Sequence, residues 1–178
     1  MADYPVNPKN FGGANVNWNE VKSAKITKNK NGQKTYTIVF KTGVTAQYPV
    51  QKGGASIQSR ELTMWQSIDN DTKTVANGFE GLQLKGSEKD DYIIGRNLKN
   101  SKIDVANDKG NDDHVVLESL SQHKPDHTFW QCNEGVSVKL DENDTLDKRQ
   151  VYEESNGKGD ISTTVENYRI KGPGIEAR

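Results

Sequence analysis

The chain is poor in cysteine, in aromatic residues and in long apolar runs. Its single cysteine, Cys132, excludes an intramolecular disulfide, and no apolar stretch approaches the ~18 residues of a membrane-spanning helix. Hydrophobic residues make up 31% of the 178 residues and aromatic residues 7%, so the core of this single expected domain must be thin. The start has neither the basic nor the apolar region of a cleaved signal peptide, so we expect any export to use another route.

Catalytic signatures are equally scarce. The sequence contains no GxSxG nucleophile motif and no GxxxxGK[ST] phosphate loop. Paired carboxylates are frequent, and on a parallel β-helix such pairs can serve polysaccharide-cleaving enzymes. That chemistry also needs aromatic side chains that stack on sugars, of which this chain has few. We therefore interpret the chain as non-enzymatic, with a polysaccharide-active β-helix enzyme as the alternative.

Charge is abundant but unevenly distributed along the chain. Residues 1–60 hold nine Lys/Arg against two Asp/Glu, a net +7, and residues 61–178 hold fifteen against twenty-three, a net −8. The lysines of the basic part are scattered through an alternating strand pattern without the interleaved arginines and aromatics of a nucleic-acid surface. We expect a solvated strand face and no nucleic-acid partner. The alternative is an intracellular interaction protein that grips an acidic partner with its basic N-terminal part.

Alternating polar and apolar residues predict an antiparallel β meander over residues 21–50. Asn31-Gly32 separates the first two alternating runs, and this dipeptide is a strong hairpin signal because both residues tolerate positive φ. Thr42-Gly43 marks a second turn. Three consecutive strands are therefore expected here.

The remaining segments differ in how their apolar residues are spaced. Residues 1–20 form an irregular N-terminal segment, and residues 51–76 read as a linker followed by a short helix or strand. In residues 77–178 apolar pairs recur every ten to thirteen residues, and an echo links FEGLQLKG at 79–86 to VENYRIKG at 165–172. Short strands in stacked turns give such a pattern. The sequence thus predicts an all-β fold, with the meander followed by a short parallel β-helix or β-roll-like coil.

Two phrases in the last region place glycine, paired aspartates and an apolar run in the same order. They are LKGSEKDDYIIG at 84–95 and GNDDHVVL at 110–117. Residues 78–117 resemble degenerate RTX, or hemolysin-type calcium-binding, repeats, whose units read GGxGxDxUx with U a large apolar residue. The resemblance comprises one good unit and two partial ones. It implies turn-forming roles for Gly86, Gly95 and Gly110.

The same resemblance implies a calcium site in the turns. Calcium takes six to eight oxygen ligands, so a tight turn that aims carbonyls and carboxylates at one point suits it. The aspartates expected to bind the ion are Asp90, Asp91, Asp112 and Asp113. The alternative is a calcium-free coil in which these side chains cap turns by hydrogen bonding to the backbone.

The resemblance also implies a role and a location. It indicates a non-enzymatic bacterial module, secreted or on the cell surface, that acts as a scaffold or as a binding domain for a protein or glycan partner. We expect an extracellular location reached without a cleaved signal peptide. A cytoplasmic location is the alternative.

Overall fold

The protein is all-β, as the sequence predicts. The structure is a computed structural model that describes residues 4–5, 14–28, 30–49, 63–67, 73–106, 112–121, 129–131, 133–155, 161–172 and 174–177. These residues form strands and one short 3-10 turn at Trp18–Glu20. The strands are β1 (Tyr4–Pro5), β2 (Asn15–Val16), β3 (Val21–Lys28), β4 (Lys34–Phe40), β5 (Thr45–Pro49), β6 (Thr63–Ser67), β7 (Lys73–Asn77), β8 (Gln83–Lys85), β9 (Tyr92–Arg96), β10 (Lys102–Asp104), β11 (His114–Ser121), β12 (Phe129–Gln131), β13 (Ser137–Leu140), β14 (Thr145–Ser155), β15 (Ile161–Lys171) and β16 (Gly174–Ala177).

The N-terminal strands follow the alternation of the sequence. β3, β4 and β5 pair antiparallel in sequence order. Gly32 in the first turn has φ +81° and Gly43 in the second has φ +101°, which is why glycine stands at both positions. Phe40 and Tyr48 face inward and are fully buried.

The strands form two mixed sheets. The first sheet has the order β1-β3-β4-β5-β8-β10-β13-β16, and the second has the order β15-β14-β11-β9-β7-β6-β2, with β12 paired to β11. From β7 to β14 the chain passes repeatedly from one sheet to the other. As a result β8, β10 and β13 pair parallel in the first sheet, and β7, β9, β11 and β14 pair parallel in the second.

The short aliphatic runs of this part lie in register within each sheet. One inward-facing aliphatic residue from each parallel strand except β7 contributes to a shared row, and each of these side chains is at most 2% exposed. The rows are Leu84, Ile103 and Val138 in the first sheet and Ile93, Val115 and Leu146 in the second. Each such side chain stabilises the fold by roughly 1.5–3 kcal/mol through burial. The rows belong to one core cluster that also contains the buried residues of β4 and β5.

The C-terminal strands close the sheets differently. β15 forms a long antiparallel hairpin with β14, and β16 pairs antiparallel with β13. The phrase VENYRIKG at 165–172 therefore lies on a hairpin strand for most of its length rather than opening a further parallel strand.

Two sequence expectations concern residues 51–76. Their linker, QKGGAS, lies outside the described residues. At RELTMWQSI, where a helix and a strand were alternatives, Thr63–Ser67 is a strand. Among the described residues, no helix is both long and apolar enough to cross a membrane.

Candidate functional site

Three aspartates occupy equivalent positions in successive turns. Asp91, Asp113 and Asp144 each immediately precede a strand of the second sheet, β9, β11 and β14 respectively. His114, the first residue of β11, lies opposite the first residues of both β9 and β14, so the three aspartates are stacked across the turns. We call these three residues the aspartate column. All are buried, with at most 4% of each residue exposed.

The aspartate column is held together by hydrogen bonds to its carboxylates. The Ser87 N–H and hydroxyl donate to the two carboxylate oxygens of Asp91 at 2.8 and 2.7 Å. The Asp91 N–H donates to Asp113 Oδ1 at 2.8 Å, and the Asp113 N–H donates to Asp144 Oδ1 at 3.1 Å. The Asp141 N–H donates to Asp144 Oδ2 at 2.6 Å. The Asp91 and Asp144 carboxylates thus fasten their own turns, and the Asp113 and Asp144 carboxylates fasten the preceding turn.

One oxygen of the column lacks such a donor. Asp113 Oδ2 is buried and accepts no hydrogen bond, whereas the other five carboxylate oxygens of the column all do. Burial raises the pKa of Asp113 to about 8; the Asp91 N–H opposes this shift, and the charges of Asp144 and Asp91 add to it. A proton on Asp113 converts its bare oxygen into a donor to the Asp144 carboxylate. Burial also raises the pKa of Asp91 and of Asp144.

The four predicted calcium ligands divide into two pairs. Asp91 and Asp113 belong to the buried column. Asp90 and Asp112 lie on the exposed side of the same turns, where the Asp112 N–H donates to Asp90 Oδ1 at 2.8 Å. The structure therefore brings equivalent members of the two phrases together, but it separates the members of each pair by burial.

The fit of these residues to calcium depends on which oxygens are available. Within the described residues, no three His, Cys, Asp or Glu side chains form a group that could hold a metal. The oxygens of Asp91 and Oδ1 of Asp113 accept hydrogen bonds from groups of the turns themselves. As arranged, these carboxylates act as turn caps rather than as ligands that share one centre. Calcium binding stays a prediction for this chain.

The predicted turn glycines have different surroundings. Gly86 begins the turn after β8, where an added Cβ would lie 2.8 Å from Asp91 Oδ2, so a side chain there would disturb the column. Gly95 lies inside β9, not in a turn, and an added Cβ would lie 2.9 Å from a Leu98 methyl group. It is glycine because the strand is closely packed at that point. Gly110 lies outside the described residues.

Sequence reasoning missed Asp144 and a second set of equivalent positions. Glu80, Lys99 and Glu134 are bridged in register, and the residue after each one has a left-handed backbone. These following residues are Gly81, Asn100 and Gly135, with φ of +77°, +48° and +62°. Glycine and asparagine are the residues that adopt this conformation most readily. When glycine and asparagine are treated as equivalent at this position, three phrases align with it as their fourth residue: GFEGLQLK, NLKNSKID and CNEGVSVK.

A second titratable cluster lies on the outer surface of the second sheet. His114 Nε2 lies 2.6 Å from Asp147 Oδ2, and Arg169 donates to both oxygens of Asp147 at 2.8 and 3.1 Å. The hydrogen bonds from Arg169 hold the pKa of Asp147 below its usual value, against the effect of burial, with His114 adding in the same direction. The Tyr92 ring lies 4.9 Å from that of His114. His114 lies on β11, Asp147 on β14 and Arg169 on β15, so these contacts link three adjacent strands of the sheet.

No protein-family model, curated protein or solved structure matches the chain.

Proposed function

We propose that this chain is a non-enzymatic module, secreted or on the bacterial cell surface, in which an RTX-like coil acts as a scaffold for a binding surface. In this proposal the antiparallel meander of β3 to β5 is followed by a β-roll-like coil from β7 to β14. The aspartate column carries the proposal. Asp91 and Asp113 belong to the two phrases on which the resemblance was read, and the three carboxylates of the column hold successive turns in register.

The hydrogen bonding of the column favours a structural role over catalysis. A catalytic carboxylate pair must reach substrate, with one member protonated and the other ionised. The column is buried, and its accepting oxygens are occupied by groups of the protein. We therefore assign its function to folding, with binding left to the exposed sheet surfaces.

Calcium dependence tests how the scaffold is held. The far-ultraviolet circular dichroism of the full chain is recorded during thermal unfolding in millimolar calcium, in millimolar magnesium and in chelator. If the turns are held by their own hydrogen bonds, the spectrum should be strand-rich and the unfolding midpoint should be the same in calcium, magnesium and chelator. A rise in midpoint specific to calcium would show that ions fill the turns, as the resemblance predicts.

The non-enzymatic assignment has a separate test. The protein is incubated with acidic and neutral polysaccharides, and new reducing ends and unsaturated products are measured over time. We expect no cleavage above a buffer blank. Turnover that depends on protein concentration would contradict the proposal and support the β-helix enzyme.

A further inference from the structure

The outer surface of the first sheet carries a regular arrangement of exposed polar side chains. Along β8, β10 and β13, Leu84, Ile103 and Val138 point inward, so their neighbours on either side point outward. With β5 these neighbours form two rows across four strands. We call these rows the lysine face; they are Gln47, Gln83, Lys102 and Ser137, and Thr45, Lys85, Asp104 and Lys139.

The lysine face carries an excess of positive charge. Lys85, Lys102 and Lys139 are exposed, and none of them forms an ion pair with another described residue. Asp104 is the one acidic residue of the two rows, and its Oδ1 accepts a hydrogen bond from the Ala106 N–H at 3.0 Å. Three ammonium groups therefore surround one carboxylate.

The outer surface of the second sheet provides a contrast within the same molecule. There Arg96 Nε lies 2.8 Å from Glu118 Oε1, and Arg169 Nε lies 2.8 Å from Asp147 Oδ1. On that surface the carboxylates of Glu118 and Asp147 are both held in ion pairs with arginines. The lysines of the lysine face form no such pair with another described residue.

The spacing of the lysines suits an extended partner with repeated negative charges. Lys85 and Lys139 lie in one row two strands apart, which places their backbones about 10 Å from each other. Lys102 lies on the strand between them, displaced by two residues, or about 7 Å along the strand. Gln83 and Ser137 lie beside it and can donate to and accept from hydroxyl groups.

The composition of the rows favours a sugar polymer over other polyanions. Single-stranded nucleic acids are bound by aromatic side chains that stack on bases, together with arginine, and the two rows contain neither. Protein interfaces have an apolar centre rich in aromatics and arginine, which the rows also lack. Ammonium, amide and hydroxyl groups remain, and these match the carboxylate or sulfate groups and the hydroxyls of a polysaccharide.

The geometry points to the lysine face as a binding site for a linear acidic polysaccharide that carries carboxylate or sulfate groups. This inference rests on the proposed function as a binding module and names its partner. The salts that screen exposed charges should weaken the interaction, because the ammonium groups lie on the protein surface.

The test compares two charge-matched variants of the full chain. Lys85→Gln, Lys102→Gln and Lys139→Gln are combined in the face variant. The control variant combines Lys41→Gln, Lys89→Gln and Lys171→Gln, three exposed lysines outside the rows. Circular dichroism first shows that both are folded. Binding to polygalacturonate, dextran sulfate, uncharged dextran, polyglutamate and poly-dT is then measured by calorimetry at low and moderate salt.

We expect the wild-type protein to bind polygalacturonate or dextran sulfate and not dextran. The face variant should bind at least tenfold more weakly, and the control variant should stay within about threefold of wild type. Equal loss in both variants would overturn the inference, as would failure to bind either acidic polysaccharide. Polyglutamate or poly-dT bound as tightly as the polysaccharides would overturn it in favour of an acidic protein or a nucleic acid.

The outcomes separate this inference from the proposed function. Cleavage of the bound polysaccharide would overturn the non-enzymatic assignment and leave the lysine face as a binding site. Absence of both binding and cleavage would overturn the partner alone.

Discussion

At the scale of single residues, Asp113 is the most informative side chain of the molecule. It is fully buried, it accepts the Asp91 N–H, and its second oxygen has no donor. An ionised carboxylate in that position would leave a buried charge beside two other carboxylates. The folded protein therefore retains a proton that the unfolded chain releases, and this couples folding to pH.

The sign of that coupling gives a prediction. The pKa of Asp113 is about 8 in the folded protein against 3.8 for the free side chain, so between these values the folded state binds more protons. The free energy of unfolding should then fall as pH rises from about 4 to about 8, by at most about 1.4 kcal/mol per pH unit for this one proton. The raised pKa values of Asp91 and Asp144 act in the same direction. Urea unfolding in chelator at several pH values measures the slope.

The variant Asp113→Asn isolates the residue. An amide stays neutral, keeps an acceptor for the Asp91 N–H and has donors for Asp144. We expect a flatter dependence on pH and stability at pH 8 at least equal to that of wild type. Asp90→Asn, in the exposed turn, serves as control and should keep the wild-type slope. An unchanged slope in Asp113→Asn would show that the proton resides elsewhere.

At the scale of elements, the turns before β8, β10 and β13 each contain one residue with a left-handed backbone, at equivalent positions. Gly135 has φ +62°, and an added Cβ would lie 2.7 Å from Asn100 Oδ1 in the neighbouring turn. Gly135→Ala should therefore incur the left-handed backbone cost of about 1–2 kcal/mol and an additional steric cost of about 1 kcal/mol or more.

A double-mutant cycle separates these two costs. Asn100→Gly removes the side chain that the added methyl group would meet and retains a residue that adopts positive φ. We expect Gly135→Ala to destabilise the protein less in the Asn100→Gly background than in wild type, as measured by urea unfolding. Equal losses in the two backgrounds would mean that the turns relax independently of each other.

Sequence reasoning succeeded where a signal is local. The Asn31-Gly32 turn is encoded by residues that tolerate positive φ, and Gly32 adopts it. Asp91 and Asp113 were found because their phrases are alike, and they lie 22 residues apart. Asp144 was missed because the next interval is 31 residues and its phrase, DENDTLDK, has no glycine. The number of residues between strands varies with the length of the loops, whereas the register of paired strands is fixed. A comparison based on equal intervals therefore does not find the third turn.

The other differences also have physical causes. The sequence predicts a turn at Gly95, yet this residue lies within β9. It is glycine because packing against Leu98 leaves no space for a Cβ. A glycine required by a turn and a glycine required by close packing look alike in a sequence. Residues 1–60 carry the net positive charge of the sequence, whereas the three lysines of the lysine face all lie in the acidic part of the chain. Net charge per segment does not report which side chains share one face of a sheet.

At the scale of the whole molecule, both halves of the sequence contribute to one sheet and one core. β5 pairs with β8, which joins the N-terminal strands to the parallel ones, and Phe40 and Ile103 belong to the same buried cluster. A domain with one core is expected to unfold in a single cooperative transition.

This shared core predicts the effect of two distant substitutions. Phe40→Ala should cost about 3–5 kcal/mol and Ile103→Ala about 2–5 kcal/mol, each by leaving a cavity. Both should lower the midpoint of the same transition, observed by circular dichroism and by tryptophan fluorescence. Two resolved transitions, only one of them moved by Phe40→Ala, would show instead that the N-terminal strands fold as a separate unit.

The unequal intervals between the stacked aspartates have a practical consequence. The longer one contains β12 and the passage from β11 to β13, yet β11 and β14 still pair residue for residue. The register of the second sheet therefore does not depend on the length of this interval. We expect a peptide inserted between β11 and β13 to leave the pairing of β11 with β14 intact.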